Sequence, residues 1–373
     1  MHSLLRTLIA CASVTPEDAG CLEHIAAFLK PLNFKLERLD FNQTSNLFAI
    51  YGDQGPLLCF VGHTDVVPPG EGWTTPPFTL TTVKDTLVGR GVADMKGGVV
   101  AFLQALKDFL THTPHPNFRI AVLLTSDEEG KGLDGIRRIV PWLIEHHYTP
   151  TWVLVGEPSA SKAVGDTIKI GRRGSLTGTL TIQGQQGHIA YAKAHQNPMH
   201  ALAAFITQVA NHPWQAPDPV FAATQFQCTD VRAGIGADNV IPATAHAIFN
   251  FRYAPPVTHT EIQQQVTTWL NHSPLPFTLE WHHSGAPFYK ATPGPLRQSL
   301  QKAIKTVTQL ETTCSTQGGT SDGRHFAHLD CEIVECGLVN TTIHQPNEHI
   351  AISSLETLKN IYQATLEELH AAT

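Results

Sequence analysis

The 373-residue chain is long enough for two domains and has an ordinary globular composition, with 42% hydrophobic and 15% charged residues. Its formal net charge of -7 argues against nucleic acid as a main partner. No apolar run approaches the roughly 20 residues of a membrane span, and the N-terminal segment lacks the features of a signal peptide. The seven cysteines are scattered and form no disulfide framework. We therefore expect a cytoplasmic protein without a membrane or nucleic-acid partner.

The first half of the chain alternates helical and strand-like patterns. In chain order these are a helix at 17–30, strands at 34–39, 46–51 and 57–63, a helix at 94–110, a strand to 125, a helix at 136–146 and a strand to 155. This alternation predicts a sheet that is at least partly parallel and is covered by helices.

The pattern changes at residue 174. It then predicts, in order, a strand at 176–183, a helix at 198–209, strands at 225–232 and 245–253, a helix at 260–270 and a strand at 277–282. The order β-α-β-β-α-β is that of a ferredoxin-like unit. Prolines between 287 and 295 mark a return to the first domain. The prediction is a domain of residues 174–286 inserted into a larger one of residues 1–173 and 287–373.

Three apolar runs of the larger domain end in side chains that bind metals. They lead, in chain order, into Gly62-His63-Thr64-Asp65, Ser126-Asp127-Glu128-Glu129 and Gly156-Glu157-Pro158. In open α/β sheets the ligand crevice lies beyond the carboxyl ends of the strands, so these groups indicate a hydrolytic metal site. The first two segments also have ordinary interpretations, a His–Asp hydrogen bond at a loop entry for the first and a solvated acidic turn for the second.

Two further residues could complete such a site. Asp94 lies at the start of a predicted helix, where its carboxylate could be an N-cap, but Gly97 and Gly98 are costly in a helix and indicate a close backbone approach. His344, in a loop before the last helix, is weak evidence alone. Crowded carboxylates, Glu157 among them, require divalent cations or arginines between them. Carboxylate and imidazole donors suit Zn²⁺, Co²⁺ or Mn²⁺, and an aspartate can bridge two ions roughly 3.5–4 Å apart.

Two Gly-rich loops carry guanidinium groups, at 171–174 and 318–324. Arginine forks match carboxylates, so these loops suit an anionic substrate, although solvated surface turns are an equal alternative. His188, in the predicted insert, is by itself an ordinary loop histidine.

Together the motifs resemble those of the M20 metallopeptidase family, and the match runs nearly end to end. The segments that carry it are 62–68, 89–97, 126–129, 155–159, 171–175, 186–188, 239–242 and 318–324. The two Gly-rich loops are similar to those of family members that hydrolyse N-succinyl-LL-2,6-diaminopimelate to succinate and LL-2,6-diaminopimelate. That reaction belongs to lysine and meso-diaminopimelate biosynthesis.

The resemblance implies a zinc-peptidase-like α/β/α catalytic domain with an inserted ferredoxin-like dimerisation domain, assembled as a homodimer. It also implies two Zn²⁺ ions per subunit, which Co²⁺ or Mn²⁺ could replace. The implied metal ligands are His63, Asp94, Glu129, Glu157 and His344. Asp94 would bridge the ions, with His63 and Glu157 on one ion and Glu129 and His344 on the other.

The same resemblance assigns catalytic and substrate-binding roles. Glu128 would be the general base, Asp65 would orient His63, and His188 of the partner subunit would stabilise the oxyanion. The family also has a cis peptide bond after the bridging aspartate. The implied substrate contacts are Arg172, Asn239, Arg252, Gly319, Thr320 and Asn340. One departure is Asp238, where relatives often carry Asn.

The sequence pattern leaves two other functions open. Another M20 deacylase, such as acetylornithine deacetylase, a carboxypeptidase or an aminoacylase, would share the metal site. A non-catalytic member that uses the fold for binding would be expected to lose a ligand or the base. All five ligand positions and Glu128 are present, which disfavours the non-catalytic alternative.

Overall fold

The computed structural model describes residues 1–193, 196–215 and 219–373, which divide into two units. Unit 1 consists of Met1–Gly171, Tyr289–Ser315 and Ser321–Thr373, and unit 2 of Arg172–Phe288 and Thr316–Thr320. The predicted insert, 174–286, is shorter than unit 2 at both ends and lacks its short return segment. The functional division into a catalytic and a dimerisation domain stays a prediction.

Unit 1 is built from a mixed sheet, a small second sheet and helices. Its helices are α1 (His2–Ala10), α2 (Cys21–Leu29), α3 (Lys96–His112), α4 (Ile136–Glu145), α7 (Pro295–Thr308) and α8 (Ile352–Ala372). Its strands are β1 (Lys35–Arg38), β2 (Asn46–Tyr51), β3 (Leu57–His63), β4 (Thr81–Val83), β5 (Thr86–Val88), β6 (Arg119–Thr125), β7 (Trp152–Val155), β8 (Thr167–Lys169), β17 (Thr313–Ser315), β18 (Glu332–Glu335) and β19 (His349–Ala351). Two short strands, β9 (Gly171–Arg172) and β16 (Phe288–Tyr289), lie where the chain passes between the units.

The main sheet has eight strands in the order β1-β2-β6-β3-β7-β18-β8-β17. Its centre is parallel: β3 pairs with β6 and β7, and β18 pairs with β7 in the same sense. Every residue of β3 is buried, as expected of a parallel strand covered on both faces. In the register, His63 lies opposite Thr125, and Val61 lies opposite Val155. The three strands therefore reach the same sheet edge at the same level.

Helices α3 and α8 pack against this sheet through aromatic rings. Phe60 of β3 stacks on Phe102 of α3 with ring centroids 3.9 Å apart, and Tyr362 of α8 meets both edge-on. Burying an aromatic side chain of this kind contributes about 1.5–3 kcal/mol. This packing fixes the start of α3, which lies beside the sheet edge described above.

The start of α3 is held by unusually close contacts. A Cβ on Gly98 would come within 2.6 Å of the Gly156 carbonyl oxygen, and one on Gly97 would overlap the Val92 carbonyl oxygen. Lys96 is buried and donates hydrogen bonds to the carbonyl oxygens of Leu8 (2.8 Å) and Cys11 (2.9 Å). The close backbone approach that the two glycines predict is confirmed.

Unit 2 consists of a four-stranded antiparallel sheet with two helices. Its elements are β10 (Gly174–Gln183), β11 (Gly187–His188), α5 (Pro198–Asn211), β12 (Gln225–Ala233), β13 (Val240–Ile241), β14 (Thr244–Tyr253), α6 (His259–Asn271) and β15 (Phe277–Gly285). The sheet order is β12-β14-β10-β15, and β11 pairs separately with β13. The long elements follow in the order β-α-β-β-α-β, which confirms the predicted ferredoxin-like arrangement.

Alternating apolar residues build the core of unit 2. In β14 every second side chain from Ala245 to Tyr253 is buried, and these pack with Leu202, Phe205 and Ile262 of the two helices. A period of two is expected of a strand with one face covered. The helices therefore lie on one face of the sheet.

All seven cysteines lie within the described residues and are free. Among the residues that the structure describes, no helix has both the length and the hydrophobicity to cross a membrane. Among the described residues, each unit has a hydrophobic core of its own.

Candidate metal centre

The candidate site of unit 1 is assembled where the parallel strands end. His63 closes β3 and is 1% exposed, while the loops after β6 and β7 bring Glu129 and Glu157 to the same edge. Asp94 reaches this edge from the loop before α3, and His344 from the loop before β19. Five side chains that the sequence identified as ligands thus converge within one unit.

Asp94 lies at the centre of this group, and its two carboxylate oxygens face different partners. Asp94 Oδ1 is 3.2 Å from His63 Nε2, and Asp94 Oδ2 is 3.4 Å from His344 Nε2. His63 Nε2 also lies 3.6 Å from Glu157 Oε1, and His344 Nε2 lies 2.8 Å from Glu129 Oε1. The group therefore divides into a His63–Glu157 side and a His344–Glu129 side that share Asp94.

The alternative role of Asp94 as an N-cap is wrong. Helix α3 begins at Lys96, its N-cap is Met95, and no side chain caps it. The Asp94–Met95 peptide bond is cis, as the family resemblance implied. The Asp94 carboxylate is consequently free of the helix and faces the two histidines.

A backbone hydrogen bond fixes the orientation of His63. Its Nδ1 donates to the Asp65 carbonyl oxygen at 2.9 Å, because a carbonyl oxygen can only accept. The other ring nitrogen, Nε2, then faces Asp94 and Glu157. A hydrogen bond at one ring nitrogen commonly prepares the other nitrogen for metal coordination.

The Asp65 carboxylate has a different main partner from the one predicted. It accepts hydrogen bonds from the backbone nitrogens of Glu128 (3.3 Å) and Glu129 (3.0 Å), and its Oδ1 lies 3.6 Å from His63 Nδ1. Asp65 therefore orients His63 chiefly through its carbonyl group, while its carboxylate holds the loop that carries the two glutamates. Burial raises the pKa of Asp65 to about 6.

The loop after β6 is closed by Asp127, whose carboxylate accepts hydrogen bonds from the backbone nitrogens of Gly132, Leu133 and Asp134. Asp127 is therefore a structural residue, and Glu128 and Glu129 are left to project from a braced turn.

Glu128 lies beside a guanidinium group. Its Oε1 is 3.5 Å from Arg324 Nη1, and Arg324 Nη2 is 3.7 Å from Asp322 Oδ1. Burial and the nearby Asp322 charge raise the pKa of Glu128 to about 8, although His63 and Arg324 oppose this change. A carboxyl group with a pKa near neutrality is suited to proton transfer in both directions.

The electrostatics of the ligand set show a shortage of positive charge. Burial, together with the charges of Asp94 and Glu128, holds the pKa of Glu157 well above its ordinary value. Burial opposes protonation of His63, but Asp94, Glu157 and Asp65 outweigh it and keep the His63 pKa well above the usual range. Hydrogen bonds to Asp94 and Glu129 raise the pKa of His344 to about 10. Cations bound among these groups would relieve the repulsion.

The donor set fits divalent metal ions. There are two groups of three donor residues whose ligand atoms lie within 4.8 Å of one another inside the group. One group is His63, Asp94 and Glu129, and the other is His63, Glu128 and Glu157. The second group includes Glu128, which the family resemblance assigned to catalysis rather than coordination. Nitrogen and oxygen donors without thiolate suit Zn²⁺, Co²⁺ or Mn²⁺.

The candidate substrate residues divide between the units. Asn340 belongs to unit 1, where its backbone nitrogen donates to Ala160. Arg172 belongs to unit 2 and its Nη1 donates to the Gln317 carbonyl oxygen at 3.0 Å, which holds the Gly-rich loop that carries Gly319 and Thr320. This hydrogen bond links Arg172 to the Gly-rich loop, and both were predicted to contact the substrate.

The remaining unit 2 candidates lie on or near the short β11–β13 pair. His188 is exposed, and its Nδ1 accepts a hydrogen bond from the Ala190 backbone nitrogen at 3.1 Å. Asn239 is also exposed, and its carbonyl oxygen accepts from Ile189 at 3.0 Å. Arg252, by contrast, lies in β14, opposite Ser175 of β10 and Gln225 of β12. The structure therefore brings His188 and Asn239 together but keeps Arg252 in the sheet.

Sequence reasoning missed two charged residues of unit 1 that support the site, and it linked the guanidinium group of Arg324 to an anionic substrate rather than to Glu128. Arg324 approaches Glu128, and a buried pair of Arg90 and Glu348 lies behind Asp94. Arg90 lies beside Gly91 in the quoted segment 89–97, and Glu348 lies four residues after His344. The charge of Arg90 inside a quoted motif was the signal available in the sequence.

Comparison with known proteins identifies the family. The model of peptidase family M20/M25/M40 matches residues 59–368. The chain belongs to this family. The resemblance and the fold class predicted from the sequence are both confirmed for this M20 chain.

The curated relatives span nearly the whole M20 chain. A succinyl-diaminopimelate desuccinylase of Alkalilimnicola ehrlichii is 45% identical over 368 residues, which are 98% of each protein. One of Delftia acidovorans is 45% identical over 375 residues, covering 98% of this chain and 97% of the relative. One of Pseudoalteromonas atlantica is 44% identical over 371 residues, covering 99% of this chain and 98% of the relative.

Solved structures of the family share the fold of this M20 chain at low sequence identity. An M20 family metallo-carboxypeptidase from Sulfolobus solfataricus superposes with a TM-score of 0.85 at 16% identity, covering 100% of this chain and 99% of that one. A dinuclear metal binding peptidase of the M20 family from Bacillus subtilis superposes with a TM-score of 0.72 at 13% identity, covering 100% of this chain and 99% of that one. At these identities the comparison establishes the fold alone.

Proposed function

We propose that this protein is a metal-dependent amidohydrolase that cleaves N-succinyl-LL-2,6-diaminopimelate to succinate and LL-2,6-diaminopimelate. Identity of 44–45% over nearly the full length of desuccinylases is the observation that carries the substrate. The geometry around Asp94 supports the hydrolytic chemistry, because its two carboxylate oxygens face different histidines and Glu128 lies among the neighbouring donor groups. The reaction would serve lysine and meso-diaminopimelate synthesis in the cytoplasm.

The proposed metal centre holds two Zn²⁺ ions, which Co²⁺ or Mn²⁺ could replace. His63 and Glu157 would hold one ion, His344 and Glu129 the other, and Asp94 would hold both. Support comes from the two Asp94 oxygens, which lie beside different histidines. When bound, such ions lower the pKa of water and polarise the amide carbonyl group.

The residues of the chain would then move the protons. Glu128 would take a proton from the attacking water, whose oxygen bonds to the amide carbon. As the carbon–nitrogen bond breaks, Glu128 would return that proton to the leaving amine. Arg324, 3.5 Å from Glu128 Oε1, would hold the base in place. His188 would stabilise the oxyanion of the tetrahedral intermediate.

Unit 2 would supply the anion-binding groups. Arg172, Arg252, Asn239, Gly319 and Thr320 are proposed to contact the carboxylates and backbone of the substrate, together with Asn340 of unit 1. The hydrogen bond from Arg172 to the carbonyl group of Gln317 supports a common role for Arg172 and the Gly-rich loop. Guanidinium groups bind carboxylates in a bidentate manner, which suits a dianionic succinylated substrate.

We also propose a homodimer, in which the His188 of each subunit serves the site of its partner. Strand β12 forms one end of the four-stranded sheet, and within the described residues it pairs on one side only. Val231 in this strand is 55% exposed, and Ile235 just after it is 61% exposed. An open strand edge with exposed apolar side chains is suited to pairing with a second copy.

Turnover on two substrates tests the function. Protein freed of metal with a chelator and then titrated with Zn²⁺ should hydrolyse N-succinyl-LL-2,6-diaminopimelate and gain activity up to two ions per subunit. Acetylornithine, offered under the same conditions, should be a far poorer substrate. Preference for acetylornithine would assign the chain to a different M20 deacylase. Metal binding without hydrolysis of either compound would favour a binding protein.

A further inference from the structure

A buried carboxylate behind the candidate site joins the segments that carry Asp94 and His344. Glu348 is 1% exposed and lies four residues after His344, at the entry to β19. Strand β19 pairs antiparallel with β5, so His349 lies opposite Val88. This pairing brings the segment around Glu348 beside the loop that leads to Asp94.

Each oxygen of Glu348 accepts two hydrogen bonds. Oε1 accepts from the backbone nitrogens of Ala93 (2.8 Å) and Asp94 (3.1 Å). Oε2 accepts from the Gly91 backbone nitrogen (2.9 Å) and from Arg90 Nη1 (2.8 Å). The carboxylate therefore fixes the backbone on which Asp94 is mounted.

Arg90 extends the same contacts to the His344 segment. It is 1% exposed, and its Nη1 also donates to the Gln345 carbonyl oxygen at 3.3 Å. Its Nη2 donates to the Pro69 carbonyl oxygen at 3.1 Å, and its guanidinium carbon lies 5.2 Å from the centre of the Trp73 ring. Both partners of the ion pair are thus held on several sides.

We propose that Glu348 is a positioning residue that sets the separation of Asp94 and His344 and so tunes metal affinity. The inference rests on the metal centre of the proposed function. Asp94 Oδ2 and His344 Nε2 lie 3.4 Å apart, although the two residues are far apart in the chain. Within the described residues, one carboxylate contacts the backbone of Asp94 directly and that of the His344 loop through Arg90. Groups behind the ligands commonly change metal affinity 10- to 100-fold when they are altered.

The chain contains a matched control in Glu332. This glutamate is also buried, and its carboxylate accepts from the backbone nitrogens of Gly294 (2.7 Å), Leu296 (3.0 Å) and Arg297 (3.2 Å) at the start of α7. It holds a helix terminus rather than a metal ligand. Glu332→Gln therefore removes a comparable set of hydrogen bonds without touching the candidate site.

The test measures Zn²⁺ affinity and stability separately in metal-free protein. Competition of apoprotein with a chromophoric chelator gives the affinity, and thermal unfolding of the same apoprotein gives the melting temperature. Glu348→Gln should weaken Zn²⁺ binding 10- to 100-fold, because an amide cannot accept all four hydrogen bonds. Glu332→Gln should lower the melting temperature, and its affinity for Zn²⁺ should equal that of the wild-type protein.

Each result bears on the proposal. If Glu348→Gln lowers the melting temperature as Glu332→Gln does and binds Zn²⁺ like the wild type, Glu348 is structural only and the inference is overturned. If Glu348→Gln does not fold, Glu348→Asp carries the test, since it keeps the charge but shortens the side chain, and wild-type affinity in that variant also overturns the inference. Absence of Zn²⁺ binding by the wild type would instead overturn the metal centre itself.

Discussion

The candidate ligands of unit 1 and the candidate substrate residues of unit 2 are held in contrasting ways. His63 is 1% exposed, and its ring is fixed by a backbone carbonyl group, whereas His188 is exposed on a short strand. His63, Glu129 and Glu157 lie at or just after the ends of buried parallel strands, so the register of the sheet positions them. Asp94 and His344 reach the same edge from loops. In unit 2, His188 and Asn239 are exposed on or beside the short β11–β13 pair, and Gly319 and Thr320 lie in a Gly-rich loop. Arg252 lies in the four-stranded sheet.

The two sets of residues meet different chemical needs. Metal ligands must be in place before metal arrives, because buried carboxylates tolerate little error in geometry. Groups that contact substrate need to be accessible to it. Substitutions in unit 1 should therefore alter metal binding or proton transfer, and substitutions in unit 2 should alter turnover at constant metal content.

The largest effect is expected for Glu128→Gln. The amide cannot carry a proton between water and the leaving amine, so turnover should fall by at least about a hundred- to ten-thousandfold. Metal content measured by elemental analysis should remain two ions per subunit. The neighbouring Glu129→Gln is the matched contrast and should lose metal as well as activity. Metal loss in Glu128→Gln would make this residue a ligand, as one of the two donor groups allows.

A smaller effect is expected for His188→Ala, which should lower turnover about a hundred- to a thousandfold with both metals retained. Co-expression with the Glu128→Gln chain under separate affinity tags tests whether the partner supplies this histidine. If it does, mixed dimers regain one complete site, and an equal mixture should show about a quarter of the wild-type rate. If each subunit uses its own His188, no site is complete and the mixture stays inactive.

The smallest effect is expected for Gly97→Ala, which probes how tightly α3 is mounted. Alanine favours a helix, but the new Cβ would overlap the Val92 carbonyl oxygen in the backbone, which cannot move freely. The free energy of unfolding should fall by about 1–3 kcal/mol in urea denaturation. Lys107→Ala, at an exposed position of the same helix, should leave the unfolding midpoint unchanged. If Gly97→Ala were more stable than the wild type, α3 would not pack closely against the Val92 carbonyl oxygen.

Much of the fold and the convergence of the ligands could be predicted from sequence, because buried parallel strands are continuous apolar runs and their ends share one edge. Strand β2 was predicted at its observed bounds, 46–51, and His63, Glu129 and Glu157 follow three such runs. The role of Asp94 could not be settled by local pattern, since a carboxylate near a helix start has the same signature in a cap and in a ligand. The structure places it two residues before the helix.

Contacts between distant segments account for what sequence could not provide. The Asp65 carboxylate bonds to backbone groups 63 and 64 positions away, and Glu348 bonds to Arg90 across 258 positions. No periodicity records such pairings. The return of residues 316–320 to unit 2 was missed for the same reason, because five residues are too few to show a pattern.

The separation of Glu129 and His344 has a consequence for how the protein is made. These residues meet at 2.8 Å but are 215 positions apart in the chain. At a synthesis rate of 5–20 residues per second, the ribosome needs roughly 10–40 s to pass from one to the other. During that interval the nascent chain already carries the acidic loop and His63, but it lacks the second histidine and Glu348. In the proposed metal centre, full metal loading would therefore wait until the segment with His344 and Glu348 has been synthesised.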